Sequence, residues 1–491
     1  MSEPDAPAGN RLDACGEGRQ DELPDKRTRE GARLDPQDPA AFRTTAHALL
    51  DACLDRSDPS REPEREPAWR SPPDALPGDL HGLPEPVPRA GMAPERISEE
   101  LTRAVMPYLP GDHHPRSLGR RHGVGPVDGL LGELIAASMN ADGEGDEGQH
   151  IGLPIERRVI DWCASLHGLP ESAGGLITQG TSMATLLALQ AARVQCFGAT
   201  LRIDGQRPVA LLYAAADIRP GVVRAAELLG LGGDAVRELP LDKATGSVCL
   251  ETLAQRVGED RAAGHVPLCL VGIAGSADTG RFDDLSALAD AAREHALWFH
   301  VDAVCGGWAV IAEEPWRSLA RGLEQADSMV FDFNRWPYIA DAAGAVLVRD
   351  GSTLRAQGDG DDPLAAGTPA AVKIWTALRR HGIEALGAAI SDNCRQAGLM
   401  AELVEAAPEL RLVTPVALNV CCFALSEPGD DPDGRHRRLA AALRLSGEAI
   451  LSTTRQDGQL ALRAAFCNHR TRAEDVHRVV EAVRRETASP S

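Results

Sequence analysis

Lysine is nearly absent from this chain. Of its 51 basic residues only three are lysines, Lys26, Lys243 and Lys373, and the rest are arginines. GC-rich codons account for such a drift at tolerant positions. The scarcity excludes most chemistry that needs a neutral side-chain amine, because arginine stays protonated. Tyrosine is as rare, at positions 108, 213 and 338. Long apolar runs are missing too: "LLALQAA" and "PLCLVGIAG" fall far short of the roughly 20 residues that span a bilayer. No apolar signal segment opens the polar "MSEPDAPAGNRLDACGEGRQ", so a cytoplasmic location is expected. The eleven cysteines show no paired spacing, which points to small buried residues in a reducing compartment rather than disulfides or a metal site. A net charge of −21 argues against nucleic acid or an anionic membrane as partner.

The 491 residues, 43% hydrophobic, suffice for a large core and two or three structural units. Residues 1–37 lack apolar periodicity and read as a disordered tail. Residues 38–110 read as an N-terminal helical segment, with Asp38 as the N-cap of "PAAFRTTAHALLDACLDRS". From about 150 to 350, helical stretches alternate with short apolar runs. That pattern predicts an α/β unit with a mostly parallel sheet covered on both faces. Residues 111–365 are taken as this large domain and 366–491 as a small α+β domain. Adjacent Cys421 and Cys422, in "ALNVCCFAL", must face opposite sides of a strand.

Three segments fall where such a sheet presents its carboxyl strand ends, the usual place for ligands. In "TQGTSMATLLAL", Gly180, Thr181 and Ser182 precede a helix, and form either an anion site or a simple cap. In "WFHVDAVCGG", Asp302 ends an apolar strand. A buried carboxylate there needs a partner, a pyridinium nitrogen or an arginine serving equally. In "SMVFDFNRWPY", Arg335 follows a strand end and is suited to clamp a carboxylate or phosphate.

With these segments in order, the chain resembles the pyridoxal-phosphate-dependent group II amino-acid decarboxylases, the aromatic amino-acid and glutamate decarboxylase family. "HHPRSLG", "ERRVIDWCASLHGLP", "GTSMATLLALQAAR", "GIAGSADTGRFDDLSALADAAREHALWFHVDAVCGG" and "ADSMVFDFNRWPYIADAAGAVLVRD" carry the resemblance, over roughly residues 38–485. It implies a fold-type-I large domain, a small C-terminal domain, interlocking N-terminal helices and a homodimer. It also implies that Asp302 pairs with the pyridine nitrogen, that Thr181 and Ser182 hold the phosphate, that Trp336 follows the cofactor-bonding position, and that His114 contacts substrate.

The departures fall where the chemistry is. Arg335 stands where the family has the lysine bonded to the cofactor, and Asn334 where it has a histidine. Arg219, in "YAAADIRPGVVRAAELLGLG", stands where a histidine stacks on the cofactor ring. "GSTLRAQGDGDDPLAAG" is short and lacks the loop tyrosine, and Gly367 and Thr368 replace paired arginines. The expectation is therefore a repurposed biosynthetic enzyme. Arg335, Arg219 and Asn334 would replace the old catalytic groups, the ligand would be anionic or amino-acid-derived, and pyridoxal phosphate would be non-covalent or absent. The alternatives are a non-catalytic homologue or partner subunit, and a carboxy-lyase acting on an amino acid.

Overall fold

The computed structural model describes residues 35–57, 67–72, 91–109, 113–119, 123–139, 152–198, 201–205, 209–218, 220–242, 246–339, 343–355, 370–456 and 458–488. The N-terminal helices are α1 (Pro39–Ser57), α2 (Pro94–Glu100) and α3 (Gly129–Met139). Asp38 caps α1, its carboxylate accepting from the N–H groups of Ala40 and Ala41, both at 3.0 Å. Helices α4 (Gly152–Leu166) and α5 (Thr181–Phe197) follow. No helix among the described residues is long and apolar enough to cross a membrane.

The central sheet has seven strands: β1 (Gly174–Thr178), β2 (Ala210–Ala215), β3 (Val236–Leu239), β4 (Val266–Ile273), β5 (Trp298–Asp302), β6 (Ser328–Asp332) and β7 (Gly344–Val348). Their spatial order is β1-β7-β6-β5-β4-β2-β3, and only β7 runs against the rest. This is the α/β architecture of fold-type-I pyridoxal-phosphate enzymes.

Strand alternation sorts the buried side chains into two layers. Val330, Val346 and Val348 face the Ala184, Leu187, Ala188 and Ala191 stripe of α5. Phe331, Ala345 and Leu347 point the other way, into a larger core with Val159 and Cys163 of α4. Behind β6, Phe331, Phe333, Trp308 and His167 form an aromatic cluster with ring centroids 5.0–6.1 Å apart.

A second sheet, ordered β10-β11-β9-β8, is built from β8 (Leu410–Leu412), β9 (Val420–Leu425), β10 (Ser452–Gln456) and β11 (Gln459–Ala465). Cys421 and Cys422 enter different buried clusters, one on each side of β9. The long helix Ala370–Glu405 joins the two cores: Ile374, Leu378 and Ile390 belong to the first, Met400 and Val404 to the second. Its regular path breaks at Gly382, where φ is 72°. The C-terminal helix Ala473–Ala488 covers the second sheet.

Candidate active site

Strand register brings the three sequence-predicted segments to one end of the sheet. In β7, Gly344 sits opposite both Thr178, the last residue of β1, and Asp332, the last of β6. Val330 of β6 in turn sits opposite Asp302, the last of β5. The start of α5, the turn after β6 and Asp302 therefore lie within three strand spacings, about 15 Å.

The start of α5 is shaped by glycine. Gly180 takes φ 85°, and no side chain caps the helix. Gly344 lies so close that a β-carbon on it would stand 2.9 Å from Thr181 N. The helix start thus rests directly on the sheet, with Thr181 half-buried and Ser182 exposed. Free N–H groups and two hydroxyls gather at the positive end of a helix, which suits an anion.

Asp302 is 3% exposed. Its Oδ1 accepts from Val304 N at 3.3 Å. A carboxylate this deeply buried suits a cationic ring nitrogen.

Asp332 folds the turn that follows β6. Its Oδ1 accepts from the N–H groups of Asn334 at 2.5 Å and Arg335 at 2.8 Å. Asn334 Nδ2 donates to Ile339 O at 2.9 Å. Trp336 Nε1 and Tyr338 OH both donate to Asn393 Oδ1, at 3.3 and 2.9 Å, which ties the turn to the long helix. Gly123 lies against the turn from the other side, where a β-carbon would come within 2.2 Å of Asn334 O.

Arg335 is 6% exposed. Its guanidinium donates to the sulfur of Cys305 and lies near Cys467 and Asp332. Burial pulls its pKa down, but these neighbours more than offset that, and the net direction is up. Burial pushes the Cys467 thiol up to about 11, with Arg335 pulling it back only in part. Cys467 is therefore a neutral thiol at neutral pH, and Asp332 is the acid beside the guanidinium. Arg335 remains a cation and supplies no nucleophilic amine.

Of the remaining sequence-predicted residues, the described ones are not brought together with this group. His114 lines a separate cavity near α1, and its Nδ1 accepts from Arg116 N at 3.1 Å. Its carbonyl accepts from Asn468 Nδ2, while Asn468 O accepts from Asn393 Nδ2, which links it to the turn. Lys373 is buried in the long helix and ion-paired to Glu133 at 2.6 Å. Arg219, Lys26, Lys243, Gly367, Thr368 and most of the segment after β7 lie outside the described residues. Sequence reasoning missed Cys305 and Cys467, having read every cysteine as an inert apolar residue. Cys305, three positions after Asp302, carried a signal in its spacing; Cys467 carried none.

These donors fit pyridoxal phosphate at both ends, with Asp302 for the ring nitrogen and the α5 start for the phosphate. They do not fit a covalent tether at position 335.

A family model described as the pyridoxal-dependent decarboxylase conserved domain matches residues 77–358. The chain is 27% identical over 420 residues to the L-2,4-diaminobutyrate decarboxylase of Rhizobium meliloti (strain 1021), covering 81% of this chain and 83% of that protein. It is 26% identical over 470 residues to the phenylacetaldehyde synthase of Arabidopsis thaliana, covering 89% and 94%. Among solved structures, Rhodiola rosea 4-hydroxyphenylacetaldehyde synthase superposes with a TM-score of 0.81 at 24% identity, covering 92% of this chain and 99% of that one. The decarboxylase domain of a Vibrio parahaemolyticus diaminobutyrate enzyme gives 0.82 at 21% identity, covering 92% and 97%. At these identities the structural likeness speaks for the fold alone.

Proposed function

The chain belongs to the pyridoxal-dependent decarboxylase family, and from that premise we propose that it is an amino-acid carboxy-lyase whose pyridoxal phosphate is held by non-covalent contacts alone. The relatives favour a carboxy-lyase over the repurposed enzyme expected from the sequence. One observation carries it: the cofactor-directed Asp302 and the bare α5 start remain at one end of the sheet, on either side of the Arg335 turn.

Bound there, pyridoxal phosphate supplies an electron-withdrawing ring that takes up the electron pair left when a carboxylate departs as carbon dioxide. The chain's own residues bind and orient. Asp302 keeps the ring nitrogen protonated. Thr181, Ser182 and the α5 N–H groups hold the phosphate. Arg335, fixed by Cys305 and Asp332, holds an anionic group of the substrate. Trp336 and Asn334 lock the turn and do not meet the reacting atoms. Arg219 is assigned to the same pocket by its sequence position. The substrate is an amino acid, and the assembly is a homodimer of this chain.

A second reading, a ligand-binding homologue without turnover, draws support from the buried state of Arg335. One experiment separates the two. Purified protein is incubated with pyridoxal phosphate, weighed by native mass spectrometry, reduced with borohydride, and assayed for carbon dioxide release from pooled amino acids. The proposal expects one cofactor per chain, lost on denaturation even after reduction, together with carbon dioxide release. Cofactor binding without release favours the second reading. A reduced adduct on any lysine overturns the non-covalent assignment.

A further inference from the structure

A cavity of about 1210 Å³ lies away from the strand ends, between α1, residues 113–115, the start of α3 and residues 469–475. Part of its wall is apolar, from Leu50, Leu54, Met106 and Leu130. Its acids are Asp55, on α1, and three that are engaged by neighbours. Asp128 pairs with Arg380 and His381, Asp392 accepts from Gln396 Nε2, and Asp475 pairs with Arg116 and caps Arg472 N.

Arg470 stands apart from them. Its Nη1 donates to His113 Nδ1 at 3.3 Å and its Nη2 to Ser57 O at 3.4 Å, both neutral acceptors. Its Nε has no hydrogen-bond partner. No carboxylate among the described residues pairs with it, and burial lowers its pKa with no acid to raise it again. A partly buried, uncompensated cation is costly unless something supplies the counter-charge. The flanking His113 and His469 are held near pKa 4, by burial first and then by Arg470. Both are neutral at neutral pH, so the positive charge facing a ligand comes from arginines, Arg470 with Arg56, Arg70 and Arg472 also in the lining.

We infer that this cavity binds a small organic carboxylate with an apolar body, its carboxylate seated on the Arg470 guanidinium and its chain against the leucine wall. The Arg470 guanidinium, with its unpartnered Nε, matches a carboxylate, and the apolar wall has nothing to offer an inorganic anion. The site does not rest on the cofactor assignment, because no residue that holds the cofactor lines it. It does touch the same turn from behind. His469 meets Tyr338 edge-on at 5.4 Å, and Tyr338 shares Asn393 with Trp336.

The test is calorimetric titration of the full chain, without added cofactor, using hexanoate, hexanamide and inorganic phosphate. Hexanoate is expected to bind saturably, with hexanamide roughly tenfold weaker or worse. Arg470→Gln should weaken hexanoate by a similar factor, and Arg470→Lys, which keeps the charge, by less. Should Arg470→Gln fail to fold, the lysine variant and the amide pair still decide the matter. Equal affinity for acid and amide, hexanoate binding unaltered by either variant, preference for phosphate, or no binding at all would each overturn the inference.

Discussion

A guanidinium and an ammonium carry the same charge at neutral pH, but only the ammonium gives up its proton within reach of enzymatic chemistry. Position 335 turns on that difference. Arg335 is buried and donates to Cys305, and burial opposes its charge while the Asp332 carboxylate beside it favours it. Lysine there would be shorter, would lose the planar fork, and would face the same two sulfurs. Arg335→Lys is expected to cost about 1–3 kcal/mol of stability, through the lost charge-assisted hydrogen bond, read as a lower urea midpoint. The same variant should gain what the native chain lacks. After incubation with pyridoxal phosphate and borohydride reduction, peptide mapping should find the cofactor mass on residue 335. If the label is missing although the cofactor binds, the turn does not aim this side chain at the cofactor, and Arg335 has no part in the site.

At the scale of elements, one carboxylate folds the start of the Arg335 turn. Asp332 accepts from two successive N–H groups, those of Asn334 and Arg335, as a helix N-cap does. Asp332→Ala should therefore cost about 1–3 kcal/mol and weaken cofactor binding together with stability. Asp332→Asn, which keeps an acceptor, should restore most of both. Urea melts and equilibrium dialysis check the pair, and an alanine variant as stable as the native chain would show that the contacts of Asn393 and Gly123 hold the turn unaided. The turn itself was legible in the sequence, because a strand, a polar break and a second strand follow one another within "FDFNRWPYIADAAGAVLVRD". Asp302 at a strand end and Asp38 as a cap were legible for the same reason, since each depends on near neighbours. What surrounds Arg335 was not. Cys305, Cys467, Asn393 and Gly123 come from four distant segments, and only the packing of the two sheets against the long helix assembles them. Helix α3 was not expected either. Two glycines interrupt its pattern, and Gly132 is explained only by the long helix, whose Lys373 Cα would stand 2.8 Å from a β-carbon there.

At the scale of the whole molecule, the N-terminal helices are held more by surfaces than by a core. Helix α1 buries no residue, and α3 exposes Leu131, Leu134 and Ile135, each more than half accessible, at the i, i+3, i+4 spacing of one stripe. A second copy of the chain is the occupant we propose for that stripe. Leu134→Asp should shift the protein from dimer to monomer in size-exclusion chromatography with light scattering, and an unchanged mass would place the contact elsewhere. The same region carries an acid sensitivity. His113 and His469 line the cavity beside α1, and burial followed by Arg470 depresses both to about 4, against 6.5 for an unperturbed histidine. Arg56, Arg470 and His381 are the charged or titratable groups that press on them. Because the folded value lies below the unfolded one, the unfolded chain binds more protons between pH 6.5 and 4. The stability these two histidines contribute is therefore complete above pH 6.5 and is lost as pH falls through 4. Two protons correspond to a slope of at most about 2.7 kcal/mol per pH unit. Buried His167 and His436 are shifted the same way, so the native slope alone does not identify the pair. The difference between native chain and the His113→Gln, His469→Gln double variant does. Urea melts at pH 7.0, 6.0 and 5.0 should show the double variant losing less stability on acidification than the native chain. Parallel losses would mean that solvent reaches both rings and that the cavity wall is looser than its hydrogen bonds imply.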